Sequence, residues 1–401
     1  MKTLLINAVS GYGSTGRTVI EIANKLNDNG HEGFIAYSEG VLEKNGWQIG
    51  TTFEKKLHGL FSRLTGKQGY YSTKGTEELI GYIESIDPDI IHLSNLHANY
   101  INLNLLLSYI SKKDIPTVIT LHDCWFYTGK CCHYTIDNCF KWQTECGNCP
   151  RLKKDNISWF LDRTTKMFND KKTSFENISR LAVVGVSDWI TNEAKKSFLS
   201  SAKVIKRIYN WVDIDIFKPI ETTEVRKRLD LEGNYVILGV ASKWNNEKGL
   251  NQFLELGKML PSKHKIVLVG KIEDGINLPN NIINIPETQN ISELVEYYSM
   301  ADVFVTLSLE ETFGKVIAEA LACGTPAIVY NSTACPEVVG EDCGFVVDKN
   351  NLKAILEKLL EIEKNTKKYY SKNCVDHVKK NFNKDERLAD YFNLYKELVE
   401  M

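Results

Sequence analysis

The sequence contains no long apolar run. Nowhere do about 18 consecutive apolar residues occur, so no membrane-crossing helix is expected. It also has little net charge, −2 across 401 residues, which argues against nucleic acid as a partner. A secretory leader is not expected either. The opening MKTLLINAVSGYG has a short apolar run that enters a glycine turn and reads as a first strand, which implies a cytoplasmic protein. The 10 cysteines therefore point to reduced thiols or a metal site, not a disulfide scaffold. No open metal position with carboxylates is visible, so catalysis is expected to need no metal or other cofactor. What the chain does have is 43% hydrophobic residues, enough for substantial cores, and a length that suits two domains of about 200 residues.

The most informative stretch runs from Leu309 to Pro326. Residues 301–307 (ADVFVTL) read as a buried strand. After Phe313 and Gly314, the apolar residues Val316, Ile317, Ala320 and Leu321 fall at helical spacing. Gly324 and Thr325-Pro326 end that helix, and another strand begins at 327. The helix start is a natural seat for a phosphate, through its amides and the positive end of its dipole. Glu311 stands in the turn before it. Glu319 lies five residues past Gly314, about 7 Å along the axis at roughly 1.5 Å per residue, which is about the reach from a diphosphate to a ribose. A buried carboxylate there suits a sugar diol. The same pattern also fits an ordinary α/β crossover with a solvated glutamate. Upstream, Lys243 and Lys248 flank a loop between a strand at 235–241 and a helix. Two cations there would neutralise a diphosphate, although a surface lysine pair reads the same way. Strands at 265–269 and 282–285, with the turns after them, read as a frame for a base or ribose.

In the first half, a strand at 3–9 leads into Gly11, Gly13 and Gly16, which satisfy G-x-G-x-x-G ahead of a helix at 17–26. Three readings stay open. One is a dinucleotide fingerprint whose acid is Glu39, after a strand at 34–37. Another is contact with phosphate or acceptor through Gly13, Ser14, Thr15 and Gly16. The third is a tight turn that merely needs glycine. Residues 39–76 read as a long loop with a short helix at 54–64. Its Lys55, Lys56, Arg63 and Lys67, with Phe53, Phe61, Tyr70 and Tyr71, suit an acceptor, a membrane face or plain solvent. The strand at 88–93 ends towards His97, Asn99 and Tyr100. The strand at 116–121 ends in His122-Asp123 and runs on to Thr128-Gly129. Ligands of open parallel sheets bind beyond the C-terminal strand edge, so these residues are site candidates. Residues 151–180 read as charged and helical. A strand follows at 180–187, then a helix to 199 capped by Ser187 or Asp188, then a last strand at 204–209.

Cys132, Cys139, Cys146 and Cys149 form C-x6-C-x6-C-x2-C, with Cys124 and Cys131 nearby. Four thiols at such spacing suit a structural tetrahedral zinc with bonds of about 2.3 Å. Free or transiently oxidised thiols are the other reading. The segment is too polar and irregular to hold itself by packing.

Glu311 to Glu319 resembles the E-x7-E signature of the retaining family-four glycosyltransferases. These are α/β proteins with two Rossmann-like domains facing a cleft, the GT-B architecture. Lys243 stands where that family usually has arginine, keeping the charge but losing the bidentate fork. Asn210 to Asp213, with Phe217-Lys218-Pro219, resembles the family's N-G-V-D…F-x-P linker, with Trp211 in place of glycine. Residues 331–337 resemble its small-residue loop ending in P-E. The H-D-C-W at 122–125, followed by a cysteine cluster ending in Cys149-Pro150, is similar to a subset that builds surface polysaccharides. The resemblance covers nearly the whole chain. It implies that Glu319 holds the donor ribose, that Glu311 touches the donor hexose, and that the amides of Phe313, Gly314, Lys315 and Val316 meet the diphosphate and sugar. It places His122, Gly13 and Gly16 near the donor, and it implies a front-face displacement assisted by the leaving group.

The expectation is therefore a two-domain transferase. Residues 1–210 form the acceptor-side domain, with a helix at 383–401 packing back onto it, and 211–382 bind the nucleotide sugar. A hexose would pass from a UDP- or GDP-linked donor to a glycan or lipid-linked glycan at the inner membrane face, by peripheral association. Two other classes remain. A dinucleotide-dependent oxidoreductase would use Gly11, Gly13 and Gly16 but leaves the second cationic loop unexplained. A non-catalytic GT-B partner protein would leave Glu311, Glu319 and the lysines without work.

Overall fold

The computed structural model describes residues 1–41 and 44–401. Residues 42 and 43, inside the stretch read as a long loop, lie outside the described residues. The chain divides into two compact units, 1–208 with 388–401, and 209–387.

The first unit is built on seven strands: β1 (Lys2–Ser10), β2 (Glu32–Gly40), β3 (Gly46–Gln48), β4 (Ile90–Leu93), β5 (Thr117–Leu121), β6 (Leu181–Gly185) and β7 (Val204–Arg207). They form a parallel sheet in the order β3-β2-β1-β4-β5-β6-β7. The sequence dictates this burial. β4 (IIHL) and β5 (TVITL) are buried at every position, as expected of strands covered on both faces. The order reverses between β1 and β4, and Asn7 marks the point. Its side chain accepts from Asn95 N (3.0 Å) and donates to Val9 O (2.7 Å), joining the two strand ends.

The second unit has six strands: β8 (Tyr235–Lys243), β9 (His264–Lys271), β10 (Ile282–Ile285), β11 (Val303–Thr306), β12 (Ala327–Tyr330) and β13 (Gly344–Val347). This sheet is also parallel, ordered β10-β9-β8-β11-β12-β13, and reverses between β8 and β11. Both units are thus Rossmann-like.

Several local expectations change. The stretch 39–76 holds β3 and a helix Thr52–Thr65, and a second helix, Thr73–Ile86, begins before it ends. That second helix is disguised by glycine. Gly75 is needed because a Cβ there would fall 2.8 Å from Gly50 Cα. Leu79 and Ile83 supply the buried face. Residues 151–163 are irregular, and the helix spans only Thr164–Glu176. Ser187 caps the helix Asp188–Lys195, accepting from Ile190 N at 3.2 Å. A helix Lys367–Asn381, which has weak apolar periodicity, precedes the final helix Lys384–Glu400.

The last helix joins the first unit through a buried polar chain. Tyr395 Oη lies 2.6 Å from His92 Nδ1, His92 Nε2 lies 2.7 Å from Thr120 Oγ1, and Thr120 Oγ1 lies 3.0 Å from Tyr391 Oη. Burial lowers His92 to about 3, so the folded protein holds it neutral. Unfolded histidine titrates near 6.5. Stability is therefore full above that pH and falls as protons bind the unfolded chain, from about 6.5 down towards 3. His92 alone should remove about 2 kcal/mol between pH 6.5 and 5, read as a falling urea midpoint. Tyr395→Phe, which strips His92 of a buried partner, should cost about 1–3 kcal/mol at pH 7.

Candidate active site

The second unit assembles its site where its strand order reverses. β8 shifts register after Val240, and the following loop is pinned to β9. Trp244 donates from its backbone to Lys271 O (2.8 Å) and from its indole to Val269 O (3.1 Å). Gly249 has φ +83°, and a Cβ there would meet Leu307 Cβ at 2.5 Å and its carbonyl oxygen at 2.6 Å. Only glycine lets the loop close so tightly onto the end of β11. Leu309 N then donates to Glu247 O at 2.9 Å, so the loops after β8 and β11 are joined.

This closure brings Lys248 Nζ to 2.6 Å from Glu311 Oε1. Burial disfavours the ammonium, but the Glu311 charge and hydrogen bond outweigh it and raise Lys248 above the usual lysine value. Glu311 is itself held by its backbone. Its N–H donates to Thr333 Oγ1 (2.8 Å), whose hydroxyl donates to Glu311 O (2.6 Å), and Ala334 N also donates there (3.2 Å). Thr333 takes φ +47° to make these contacts. The small-residue loop at 331–337 therefore orients the acid.

Gly314, at φ +86°, opens the helix Lys315–Ala322, whose first turn carries no acid. Phe313 is 1% exposed, while Lys315 and Val316 are half-buried at the helix start. One turn on, Glu319 is buried and accepts from Tyr298 Oη at 2.9 Å. Nothing in the sequence pattern singled out Tyr298. Lys243, expected beside Lys248, instead pairs with Glu273 at 2.9 Å, both more than half exposed. The structure thus joins Lys248 to Glu311 and Lys243 to Glu273.

The first-unit candidates separate by burial. Gly11 and Gly13 have φ +85° and +65°, as a tight turn demands, while Gly16 packs on β1, with a Cβ there 3.1 Å from Val9 Cγ2. Ser14 is exposed, and Asn7 Nδ2 donates to Thr15 Oγ1 at 3.4 Å. Glu39, the acid of the dinucleotide reading, pairs with Lys55 at 3.3 Å. Tyr100 is fully buried, its hydroxyl donating to Asn95 O at 2.8 Å, and Thr128 is buried with its hydroxyl on Cys131 O at 2.7 Å. Both side chains support loops and are not open to a ligand. Asn99 lines a polar pocket with Ser62, Arg63, Gln68 and Asn156. His122 is half-buried at the end of β5. His97 Nε2 lies 2.8 Å from Asp123 Oδ2. Burial raises that acid, but His97 and the Trp125 N–H outweigh it and leave it below its usual range.

Cys132 Sγ stands 3.9 Å from His97 Nε2 and, with His97 and Asp123, forms a group whose ligand atoms lie within 4.8 Å of one another. The 2.8 Å separation of His97 and Asp123 is that of a hydrogen bond. Cys139, Cys146 and Cys149 line a different cavity, and the thiol that joins them there is Cys131, not Cys132. The fourfold grouping expected from spacing is corrected accordingly. In this irregular segment, adjacent residues point to different places.

One apolar surface was only partly foreseen. The helix Thr52–Thr65 exposes Phe53 (71%), Leu57, Leu60, Phe61 and Leu64. Beside it, joined by Trp159 N donating to Arg63 O (2.8 Å), lie exposed Trp159, Phe160 (71%) and Leu161. Lys56 and Arg63 are exposed on the helix, and Lys153 and Lys154 on the irregular stretch that precedes Trp159. No described helix is long and apolar enough to cross a membrane.

Two Rossmann-like units, one with a cation, an acid and a helix start at its strand reversal, define a GT-B protein. The chain belongs to glycosyltransferase family 4, a family of sugar-transferring enzymes. The model described as Glycosyltransferase Family 4 matches residues 15–216, and that of Glycosyl transferases group 1 matches 221–380. Among curated proteins it is similar to the putative colanic acid biosynthesis glycosyl transferase WcaC of Escherichia coli. They are 24% identical over 277 residues, which is 67% of this chain and 66% of that one. It is 32% identical over 141 residues to the capsular polysaccharide biosynthesis glycosyltransferase CapM of Staphylococcus aureus, covering 32% and 37% of the two chains. The matches span about two thirds or less of these relatives' lengths. Similar solved structures include sucrose-phosphate synthase from Thermosynechococcus elongatus, with TM-score 0.73, 16% identity and 100% of both chains. Anabaena HepE in complex with UDP has TM-score 0.69 and 15% identity, over 99% of this chain and 100% of that one.

The closure at Gly249 has a measurable cost. Gly249→Ala should destabilise the protein by about 1–3 kcal/mol more than Gly275→Ala, the scale of an overpacked contact. Gly275 has a similar φ (+87°) but nothing within 4 Å of its Cβ position. Urea unfolding of the two variants reads the difference.

Proposed function

We propose that the protein transfers a hexose from a UDP- or GDP-linked donor to a glycan or lipid-linked glycan, in surface-polysaccharide synthesis and with retention of configuration. The observation that carries this reading is the Lys248–Glu311 pair beside the helix start at Gly314. Lys248 and the amides from Phe313 to Val316 stabilise the departing diphosphate. Glu311, oriented by Thr333, takes a hydroxyl of the donor sugar. Glu319, held in place by Tyr298, accepts the ribose diol. Lysine and amides supply the charge, so the step needs no metal. Lys243, solvated with Glu273, acts at most as an outer contact for phosphate. The family supports a front-face displacement.

The donor class is supported by the UDP in HepE, and by a second structure of that protein with UDP-glucose. The pathway is supported by the names of WcaC and CapM. The first unit takes the acceptor, with His97, Asn99 and the Ser14-Thr15 turn as its contacts, and His122 serves the donor phosphate or sugar. The apolar and basic surface on Thr52–Thr65 and 157–161 holds this unit to an anionic membrane face from the cytoplasmic side.

Glu311→Ala and Glu319→Ala should each lower transfer from a UDP- or GDP-sugar by about 100-fold or more while the circular dichroism stays unchanged. Near-wild-type rates in both would end this reading. Phe53→Ser with Phe160→Ser should abolish co-sedimentation with phosphatidylglycerol vesicles without changing the fold, and unaltered binding would remove the membrane part.

A further inference from the structure

We propose that Cys131, Cys139, Cys146 and Cys149 bind one structural Zn²⁺. All four line a single cavity, walled by Tyr134 and Trp142, and metal binding draws Cys139 and Cys146 in towards the Cys131–Cys149 pair, since no three of the four sulfurs yet lie within 4.8 Å of one another. Cys131 Sγ and Cys149 Sγ lie 3.8 Å apart. Two sulfurs bound tetrahedrally at about 2.3 Å are separated by about 3.8 Å, whereas a disulfide is about 2.05 Å long. Gly129 N donates to Cys146 Sγ at 3.2 Å, and the Arg151 N–H donates to Cys149, the backbone support that thiolates at a metal receive.

Two lysines, both with a pKa lowered by burial, stand among the thiols, with Asp155 and Asp162 also near. Zn²⁺ with four thiolates has a net charge of −2. The Lys130 ammonium is 1% exposed and donates to the carbonyls of Arg151 (3.1 Å), Leu152 (2.9 Å) and Lys154 (3.2 Å). It interacts electrostatically with Cys149 and Cys131. Lys171, also buried, interacts with Cys146. On binding, four S–H bonds break, four Zn–S bonds form and the protons go to solvent.

The segment also needs a cross-link. Between β5 and the helix at Thr164 the backbone makes only a 3-10 turn, Lys141–Gln143, yet Trp125, Tyr127, Tyr134, Trp142 and Arg151 are buried along it. Long irregular stretches seldom hold such a core without a staple. Because Trp125 and Asp123 belong to this segment, the metal would also fix the Asp123–His97 contact at the end of β5.

The test is metal content of the full chain, purified without chelators and desalted. Wild type and Cys132→Ser should carry about one zinc per chain, and Cys131→Ser and Cys149→Ser far less. The Co²⁺-loaded wild type, which needs no variant, should show the intense visible bands of tetrahedral thiolate ligation. The proposal is overturned if wild type binds neither metal, if Cys132→Ser loses zinc while Cys131→Ser keeps it, or if mass spectrometry of thiol-blocked protein finds a Cys131–Cys149 disulfide.

Discussion

The ion pair between Lys248 and Glu311 is the constraint around which the second unit is arranged. Neither residue reaches the other through its own element. Lys248 arrives on the loop after β8, whose path requires Gly249 to sit against Leu307, and Glu311 on the loop after β11, clasped by Thr333. A parallel sheet that reverses between these two strands leaves a crevice there, and the chain fills it with one charge of each sign. A half-buried ion pair is weak evidence for stability. Its value lies in holding a cation and an acid in fixed positions beside the amides of a helix start.

The first unit repeats the topology with different chemistry. Its reversal point is bridged by Asn7, a neutral amide, and the residues past β4 and β5 are tied to one another: His97 to Asp123, Tyr100 to Asn95, Thr128 to Cys131. That architecture gives a rim with a polar pocket at Asn99 and an apolar, basic surface on neighbouring segments. The same topology thus serves one unit as a place for concentrated charge and the other as a scaffold for irregular loops.

Much of this was legible in the sequence because buried parallel strands leave unmistakable apolar runs. The segments 90–93, 117–121, 303–306 and 327–330 are of this kind, with glycine turns or acids at their ends. The Glu311–Glu319 spacing was legible for the same reason, since a helix start fixes both positions. What escaped depended on contacts between segments. Gly75 marks a close approach to Gly50, which looks like a loop signal until the partner is known. Lys243 and Lys248 are equivalent by spacing, and only the path of the loop sends one to Glu311 and the other to Glu273. Cys131 and Cys132 are adjacent, and without a regular period nothing in the sequence says which of them faces Cys139, Cys146 and Cys149. Tyr100 was placed by its position after a strand, yet its burial follows from a hydrogen bond to Asn95.

The central claim is that the second unit's strand reversal seats a nucleoside diphosphate on Lys248 and the following helix start. Calorimetric titration of the full chain with UDP and with GDP tests it most directly. The account predicts saturable 1:1 binding of one of them, weakened at least tenfold by Lys248→Ala and left unchanged by Lys56→Ala on the first unit. Equal affinity in wild type and Lys248→Ala would contradict it.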